Sequence, residues 1–204
     1  MRIETRNSGT IYNVHNKDIN ADGSFIIPTG VTNIGYRAFY SCNQLASVVI
    51  PDTVTNIEIA AFHGCTGLTS VTLPNSITRI GSYAFVGCSK LKSKPDNYKA
   101  FSLTETGKLK CLNKTYTVGK KSMARGDLIP CANGLHYCTN LFDIFNYYHG
   151  EYGKDFVIGI CEVSRENFSG FDDSKRCARW VRPMKILTRE EVIGIMNGDE
   201  NDES

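Results

Sequence analysis

The sequence predicts a mixed, mainly β architecture in which a short solenoid of three coils precedes a small α+β domain. Two observations carry this prediction. One block of sequence is repeated three times between residues 25 and 93, and after it the repeat stops and strand and helix patterns follow one another irregularly. The chain has 204 residues, 41% hydrophobic and 22% charged, with a formal net charge of +2. This composition is sufficient for a buried core and is typical of a globular protein.

The repeat is defined by apolar and cysteine residues that recur 23 residues apart. The recurring columns are Pro28, Pro51 and Pro74; Val31, Val54 and Ile77; Ile34, Ile57 and Ile80; Ala38, Ala61 and Ala84; Phe39, Phe62 and Phe85; Cys42, Cys65 and Cys88; and Leu45, Leu68 and Leu91. A fixed period in the twenties is typical of a solenoid, whose coils bury their faces only against each other. We therefore expect the phenylalanines and cysteines to form inward-facing ladders, with neighbours about 4.8 Å apart.

The pattern "P-x-x-V-T-x-I-x-x-x-A-F-x-x-C-x-x-L-x-S-V-x-[IL]-P" closely resembles the leucine-rich repeat of the BspA-like surface-antigen type, over residues 25–93. The resemblance implies a right-handed solenoid that binds other macromolecules. Both open ends of such a stack need covering. We expect residues 1–24, with "TIYNV" and the turn-rich "NKDINADGS", to form the N-terminal cap.

The second half, residues 98–196, is expected to be an α+β domain. "GKLKCLNKTYTVGK" predicts a hairpin, "TNLFDIFNYYHG" a short helix and "DFVIGICEVS" a buried strand. "WVRPMKIL" predicts an edge strand, because Pro183 would interrupt the ladder of a central one. "TREEVIGIMNG" predicts a helix with Thr188 as N-cap and Glu191 completing a capping box. Residues 197–204 form an acidic tail that we expect to be disordered.

The order of these elements and the phrases "YKAF", "CANGLHYC", "IFNYY", "GICEV" and "ARWVRPMKIL" resemble a domain of unknown function that is common in bacteriophage and prophage proteins. The resemblance covers about residues 98–192 and implies a viral setting without an activity. Our first hypothesis is a non-catalytic protein-binding module, encoded by a phage, that blocks a host macromolecular complex. A defence system is one such target, as for an anti-CRISPR inhibitor. The expected partner is a host protein or ribonucleoprotein complex, and no cofactor is expected.

The alternative hypothesis is an enzyme. "NGLHYCTNLFDIFNYY" is similar to the "G-x-G-I-Y-F-A" strand and helix of ADP-ribosyltransferases of the poly(ADP-ribose) polymerase type. On that resemblance His136 takes the position of the tyrosine that stacks on nicotinamide, Glu162 is the catalytic acid, and the solenoid selects a protein target. No His-Gly pair precedes the motif and Glu162 follows the helix closely. Binding without catalysis therefore stays the first hypothesis.

The eight cysteines are expected to be thiols. No apolar run approaches the roughly 20 residues that cross a bilayer, and "MRIETRNSGT" lacks the apolar stretch of a secretion signal. We therefore expect a cytoplasmic protein, in the host cell if phage-encoded, where thiols stay reduced. Cys131, His136 and Cys138 do not have the spacing of the usual zinc-ligand pairs, so no metal site is expected.

The positions at which the repeats disagree predict a binding surface. Buried positions repeat because the core demands them, so a position that varies is free to point outward. Three such columns surround the invariant Ala-Phe pair, and their largest members are Tyr36, Arg37, Tyr40, Ile59, His63 and Tyr83. Tyrosine and arginine are enriched at binding hot spots. The other interpretation is that these residues pack against the second domain or carry no function.

A second candidate surface is basic. Cations crowd the predicted hairpin and the last strand, namely Lys108, Lys110, Lys120, Lys121, Arg176, Arg179 and Arg182. Tyr116 and Trp180 lie among them, and cations interleaved with aromatic residues suit direct contact with nucleic acid or another anionic partner. The other interpretation is that these charges are solvated faces of the domain.

Overall fold

The computed structural model of the chain describes residues 4–6, 9–93, 98–103, 109–111, 114–123, 135–147, 152, 155–164, 167–169, 176–178 and 180–198. It confirms the predicted fold class. A solenoid of about three coils is followed by a small domain built on a curved antiparallel sheet, with a short helix at its C-terminal end.

The strands of the N-terminal half are β1 (Glu4–Arg6), β2 (Thr10–Tyr12), β3 (Ser24–Ile26), β4 (Asn33–Ile34), β5 (Ser47–Val49), β6 (Asn56–Ile57), β7 (Ser70–Thr72) and β8 (Arg79–Ile80). The strands of the C-terminal half are β9 (Tyr98–Leu103), β10 (Leu109–Cys111), β11 (Lys114–Tyr116), β12 (Ser122–Met123), β13 (Leu135–Tyr137), β14 (Val157–Val163), β15 (Asn167–Ser169), β16 (Arg176–Ala178) and β17 (Trp180–Ile186). The helices are α1 (Ile144–Tyr147) and α2 (Arg189–Asn197), and 3-10 turns cover Asn16–Asp18 and Leu141–Asp143.

Each coil contributes one strand to each of two parallel sheets. Strands β3, β5 and β7 form one sheet, and β4, β6 and β8 form the other, in which Ile34, Ile57 and Ile80 lie side by side. Strand β2 continues the second sheet and places Ile11 beside Ile34, while β1 pairs with β2 in the antiparallel sense. Ile11 stands 23 residues before Ile34, so the isoleucine column begins one coil before the other columns.

The invariant phenylalanines form the predicted column. The rings of Phe39 and Phe62 are stacked with centroids 4.9 Å apart and an interplanar angle of 13°, and those of Phe62 and Phe85 are 5.5 Å apart at 0°. All three side chains are buried. The separations match the spacing of neighbouring strands because backbone hydrogen bonds hold successive coils in register. The column is therefore the centre of the solenoid core.

The repeated cysteines form a second buried column. Each thiol donates a hydrogen bond to a backbone carbonyl 26 or 28 residues earlier in the chain, with S···O distances of 3.1–3.2 Å. Burial raises the pKa of Cys42 to about 11, and a hydrogen bond with Cys88, followed by burial, raises the pKa of Cys65. The cysteines whose side chains are described are thiols and not disulfides, namely Cys42, Cys65, Cys88, Cys138 and Cys161. These groups act as small apolar side chains with a weak donor.

The second half contains two antiparallel sheets. The larger has the order β11-β10-β9-β14-β17-β12, and the smaller has the order β13-β16-β15. The pairing of β10 with β11 confirms the predicted hairpin, and the central position of β14 confirms the predicted buried strand. Together they enclose a second core of Phe101, Leu109, Tyr116, Tyr137, Cys161, Ala178 and Val181.

The prediction that "WVRPMKIL" is an edge strand is wrong. Strand β17 lies between β14 and β12. Its proline is tolerated because the register with β14 shifts between Ile160 and Cys161, next to the position that pairs with Pro183. On the other side, β12 pairs only with Trp180 and Val181. The missing amide of Pro183 therefore falls where the ladders are already interrupted.

The last helix confirms the predicted capping box. The hydroxyl of Thr188 accepts from the Glu191 amide at 3.2 Å, and the Glu191 carboxylate accepts from the Thr188 amide at 2.8 Å. Helix α2 then ends at Gly198, whose φ of 80° is the left-handed conformation that suits glycine. Of the predicted tail, residues 197–204, Asn197 belongs to α2 and Gly198 is its C-cap, while residues 199–204 lie outside the described residues. In the part of the chain that is described, no helix has the length and apolar character that spanning a membrane requires.

The segment before the earlier helix is bonded to the solenoid. Asn140 precedes a 3-10 turn and the four-residue α1, but its side chain bonds the solenoid. It accepts from the Ser93 amide at 2.9 Å and donates to the Leu91 carbonyl at 3.1 Å. In return the Ser93 hydroxyl accepts from the Leu141 amide at 2.7 Å. The end of the third coil and the start of this helix therefore cap each other.

The second half also bonds further backbone amides and carbonyls of the third coil. The Tyr83 amide donates to the Phe145 carbonyl at 3.0 Å, and the Tyr152 amide donates to the Ile80 carbonyl at 3.0 Å. The Asn197 side chain accepts from the Leu73 amide at 2.7 Å and donates to the Leu73 carbonyl at 2.9 Å. The buried side chains of the solenoid and of both helices consequently form one continuous core.

Removing the central ring of the phenylalanine column should unfold the N-terminal half. Phe62→Ala deletes a buried ring that contacts one ring above and one below, a loss of about 3–5 kcal/mol, which is comparable with the whole stability of a small domain. Thermal unfolding followed by circular dichroism measures the effect. Tyr36→Ala, which removes an exposed aromatic ring, is the matched control and should melt like the parent. Equal melting temperatures for Phe62→Ala and the parent would show that the column is not a core.

All eight cysteines should be thiols, and the buried Cys42 should react slowly in the native protein. Alkylation in denaturant without reductant should add eight groups per chain, measured by intact mass. In the native protein near neutral pH, Cys42 should react slowly, because its raised pKa of about 11 leaves almost no thiolate. Peptide mass spectrometry separates the sites. Fewer than eight additions would reveal a disulfide or a bound metal, and fast native labelling of Cys42 would contradict its burial.

Candidate functional site

One backbone position is left-handed in all three coils of the solenoid. Arg37, Ala60 and Tyr83 occupy it with φ values of 54°, 56° and 61°, a left-handed conformation that is uncommon for residues other than glycine. The stack maintains the conformation, because the Arg37 amide donates to the Ile59 carbonyl at 3.2 Å and the Ala60 amide to the Ser82 carbonyl at 3.0 Å. The backbone geometry therefore repeats from coil to coil while the side chain is free to change.

Around Arg37 the side chains form a continuous group on the first two coils. The guanidinium carbon of Arg37 lies 5.1 Å from the ring centroid of Tyr36 and 4.7 Å from that of Tyr40. The Tyr40 ring is stacked on His63, with centroids 5.0 Å apart at 14°. Tyr36, Tyr40 and Ile59 are 53%, 42% and 46% exposed. We call Tyr36, Arg37, Tyr40, Ile59 and His63 the aromatic cluster.

A glutamate that the sequence analysis did not single out positions this cluster. The Glu58 carboxylate accepts from the Tyr36 amide at 2.7 Å and from the Asn33 side chain at 2.5 Å. It thereby anchors the backbone one residue before Arg37. The repeat carries a signal for it, because Glu58 stands in a column whose other members are Gly35 and Gly81. A charged residue at a position that is glycine in the other two coils indicates a role confined to its own coil and its neighbour.

The electrostatics of the aromatic cluster favour an anionic contact. Among the described residues no carboxylate forms an ion pair with Arg37, whereas the Glu58 carboxylate is already occupied by two donors. A guanidinium held between two rings presents its donors in a fixed plane that matches a carboxylate. His63 is half-buried, and its Nδ1 is shielded from solvent with no hydrogen-bond partner in the described part of the chain.

Five of the six residues of the predicted solenoid surface are therefore brought together. Tyr36, Arg37, Tyr40 and Ile59 are exposed, and His63 contacts Tyr40. The sixth residue, Tyr83, is half-buried, and its amide donates to the Phe145 carbonyl of the second half. Tyr83 thus lies at the junction of the two halves.

The residues of the predicted basic patch are spread over different parts of the second half. Strand β10, which carries Lys110, is separated from β17 by two strands, and β16, which carries Arg176, belongs to the other sheet. Lys120 and Lys121 are exposed, while Arg182 forms an ion pair with Glu162. The Nε of Arg176 is shielded from solvent and has no hydrogen-bond partner within the described segments. Lys108 and Arg179 lie outside the described residues, and for Lys110 only the backbone is described.

The two aromatic residues of that patch are not free stacking platforms. Tyr116 is buried, with its ring centroid 5.2 Å from that of Phe101 in an edge arrangement. Trp180 is half-buried, and the Lys121 Nζ lies 4.1 Å from its ring centroid. Neither ring is fully presented for base stacking.

The residues of the transferase hypothesis lie on different sheets. His136 pairs with Cys177 in the smaller sheet, and only its backbone is described. Glu162 lies on β14 of the larger sheet, where it is exposed and ion-paired with Arg182. In the described ranges, no group of three or more histidine, cysteine, aspartate or glutamate residues could hold a metal ion.

Comparisons with known families divide the chain into two parts. Residues 17–97 match the BspA type leucine rich repeat region, and residues 97–195 match a domain of unknown function, DUF7666. No curated protein matches the chain.

Solved structures similar to the chain are leucine-rich repeat proteins. One from Bacteroides ovatus is 31% identical with a TM-score of 0.38, and the match covers 44% of this chain and 26% of that one. The T. pallidum leucine rich repeat protein is 27% identical with a TM-score of 0.36, over 43% of this chain and 42% of that one. A leucine rich cell surface protein from Faecalibacterium prausnitzii is 32% identical with a TM-score of 0.33, over 44% and 30%. This chain thus spans less than half the length of each structure it matches.

These matches agree with the resemblance that the repeated columns indicated and extend its boundaries by a few residues on either side. The chain therefore carries, in this order, a region similar to BspA-type leucine-rich repeats and a region similar to the DUF7666 domain of unknown function.

Proposed function

We propose that the protein is a non-catalytic protein-binding module and that the aromatic cluster is its recognition surface. The similarity of residues 17–97 to leucine-rich repeats supports the functional class, because repeat solenoids use their extended surfaces for binding. The observation that carries the choice of surface is Arg37, held between the rings of Tyr36 and Tyr40 on a left-handed backbone position.

Folding alone does not account for this cluster. The equivalent position of the middle coil is a buried alanine with the same φ, so the fold requires neither a cation nor a long side chain there. A left-handed conformation of a residue other than glycine costs about 1 kcal/mol or more. Tyr36 and Ile59 also expose large apolar surfaces to solvent. Such features cluster at binding sites, where aromatic and arginine side chains contribute most of the affinity.

The arrangement is prepared for its partner before binding. Glu58 holds the backbone of Tyr36, the two rings restrict the Arg37 guanidinium, and His63 restricts the Tyr40 ring. Side chains that are already ordered lose less conformational entropy on association. The matching partner surface carries a carboxylate for Arg37 and apolar groups for the tyrosines and Ile59.

We further propose that the protein is phage-encoded and acts in the cytoplasm of the host cell by occupying a surface that a host complex needs. The support for this setting is the resemblance of residues 98–192 to a domain common in phage and prophage proteins. A host protein or ribonucleoprotein complex is the proposed partner, and a defence complex blocked in the manner of an anti-CRISPR inhibitor is the proposed case.

Truncating both tyrosines of the aromatic cluster should weaken partner capture strongly. Tyr36→Ala combined with Tyr40→Ala removes two exposed rings and the contacts of Arg37, so affinity should fall by about 2 kcal/mol, or roughly 30-fold, with little change in melting temperature. Immobilised parent and variants are compared by quantitative mass spectrometry of proteins retained from host lysate. The matched control is Ile26→Ala with Val49→Ala, which removes exposed apolar side chains elsewhere on the solenoid.

The same variants test the proposed blocking role. Expression of the parent and of the control should restore plating of a phage that the host defence system targets, and the tyrosine double variant should not. A double variant that captures the same partner as the parent would exclude the aromatic cluster as the binding site. A parent that captures a partner without affecting defence would exclude the proposed blocking role alone.

Replacing Arg37 by glycine should separate binding from stability. Arg37→Gly relieves the left-handed strain, about 1 kcal/mol, and removes the contacts with two exposed rings, about 0.5–1 kcal/mol, so the unfolding free energy should stay nearly constant. Partner affinity should nevertheless fall. Ala60→Gly changes the same backbone position of the next coil without removing a cation and is the control. A large loss of stability in Arg37→Gly alone, seen by chemical denaturation, would show that the arginine serves the fold.

A further inference from the structure

A second exposed apolar surface lies on the larger sheet of the C-terminal half. Met123 of β12 pairs directly with Trp180 of β17, so their side chains share one face. Met184, four residues after Trp180 on the same strand, is the extra residue at the register shift with β14, and its exposure places it on the solvent side of the sheet. Val181 and Pro183, which alternate with them, are buried on the opposite side.

This face is more apolar than a solvated sheet requires. Met123 and Met184 are 50% and 49% exposed, and Trp180 is half-buried. The solvent side of an antiparallel sheet normally carries polar residues. Methionine is flexible and polarisable, and it adapts to the surfaces of binding partners. Methionine and tryptophan are also enriched in protein interfaces.

The charges around this face are unequally neutralised. Lys121 places its Nζ 4.1 Å from the ring centroid of Trp180. Neither Lys121 nor the neighbouring Lys120 forms an ion pair with a carboxylate among the residues that the structure describes. By contrast, Arg182, which stands between Trp180 and Met184, is paired with Glu162. One end of the apolar strip therefore carries two uncompensated positive charges. We call Lys121, Met123, Trp180 and Met184 the methionine face.

We propose that the methionine face binds an acidic amphipathic helix of a partner protein. The step from Trp180 to Met184, shortened by the register shift at Met184, spans about 10–13 Å along the strand, which matches the apolar stripe over two turns of a helix. Acidic side chains beside that stripe would meet Lys120 and Lys121, whose charges have no carboxylate partner in the described ranges.

The same observations argue against nucleic acid as the occupant. Arg182 is neutralised by Glu162, Tyr116 is buried, and one side of Trp180 is already covered by Lys121. A nucleic-acid surface needs several free cations for phosphates and open rings for bases. The methionine face and the adjacent Lys120 offer two lysines without a carboxylate partner among the described residues, beside an apolar strip, which fits an acidic helix better. This surface is separate from the aromatic cluster, and the proposal does not depend on it.

A labelled helical peptide tests the proposal directly. The probe is a fluorescein-labelled peptide of about 15 residues with leucines along one helical stripe and glutamates on the flanks. Fluorescence anisotropy against the full chain should show saturable binding that weakens as salt is added. The comparison probes keep the leucines but replace glutamate by lysine, or scramble the order, and both should bind at least about tenfold more weakly.

Variants of the protein locate the binding. Met123→Ser with Met184→Ser, and separately Lys120→Gln with Lys121→Gln, should each weaken binding of the acidic peptide about tenfold or more. Ile26→Ser with Val49→Ser, which alters exposed apolar residues of the solenoid, should bind like the parent, as should Tyr36→Ala with Tyr40→Ala. Melting temperatures confirm that the variants are folded, and the lysine pair provides a second, conservative test if the methionine pair is destabilised.

Several results would overturn the proposal. The acidic peptide could fail to bind, it could bind no better than the basic or scrambled peptide, or its binding could be unaffected by both pairs of substitutions. A single-stranded oligonucleotide of about 12 nucleotides serves as the competing ligand. If it bound more tightly than the acidic peptide and depended on Lys120 and Lys121, the surface would be a nucleic-acid site instead.

Discussion

The structure depends on one constraint, which is that no coil of the solenoid can bury its own core. Each coil contributes one phenylalanine and one cysteine to the inward columns, and these become buried only when another element lies above and below. Successive coils are held together by backbone hydrogen bonds between residues about one repeat apart. The stack is therefore stable in its middle and incomplete at both ends, where rings and backbone groups would otherwise meet water.

The two open ends of the stack are covered in different ways. At the N-terminal end, β2 adds Ile11 to the isoleucine column, so the cap extends the same sheet. At the C-terminal end the second half supplies a substitute for a fourth coil. Phe142 packs edge-on against Phe85 with ring centroids 5.3 Å apart, while the side chains of Asn140 and Asn197 bond the exposed backbone. The solenoid and the helices of the second half consequently share one core.

The same stacking generates the outer surface. Because the turn that contains Arg37 is bonded to the next coil, its backbone can keep a left-handed conformation without glycine, and the side chain there can serve recognition. The second half achieves a comparable result by other means. Its sheet buries Val181 on one side and presents Met184 on the other, so one short strand serves both a core and a surface. The two surfaces are built from separate elements and differ in chemistry, since one centres on an arginine between tyrosines and the other on methionines beside lysines.

The sequence by itself determined the features that depend on short-range or repeated interactions. The interval of 23 residues identified the buried columns, and Thr188 with Glu191 identified the last helix, because a capping box is formed by residues three apart. The variable columns indicated all five residues of the aromatic cluster, but not Glu58, which positions them. Only the tertiary structure decided the features whose partners are distant in sequence. The role of Asn140 depends on residues more than 40 positions away, and that of Asn197 on a residue 124 positions away, so neither is visible in a local pattern. The position of Pro183 inside the sheet and the separation of Lys110 from Arg182 follow from strand order, which local alternation does not specify because either neighbour can satisfy the same strand.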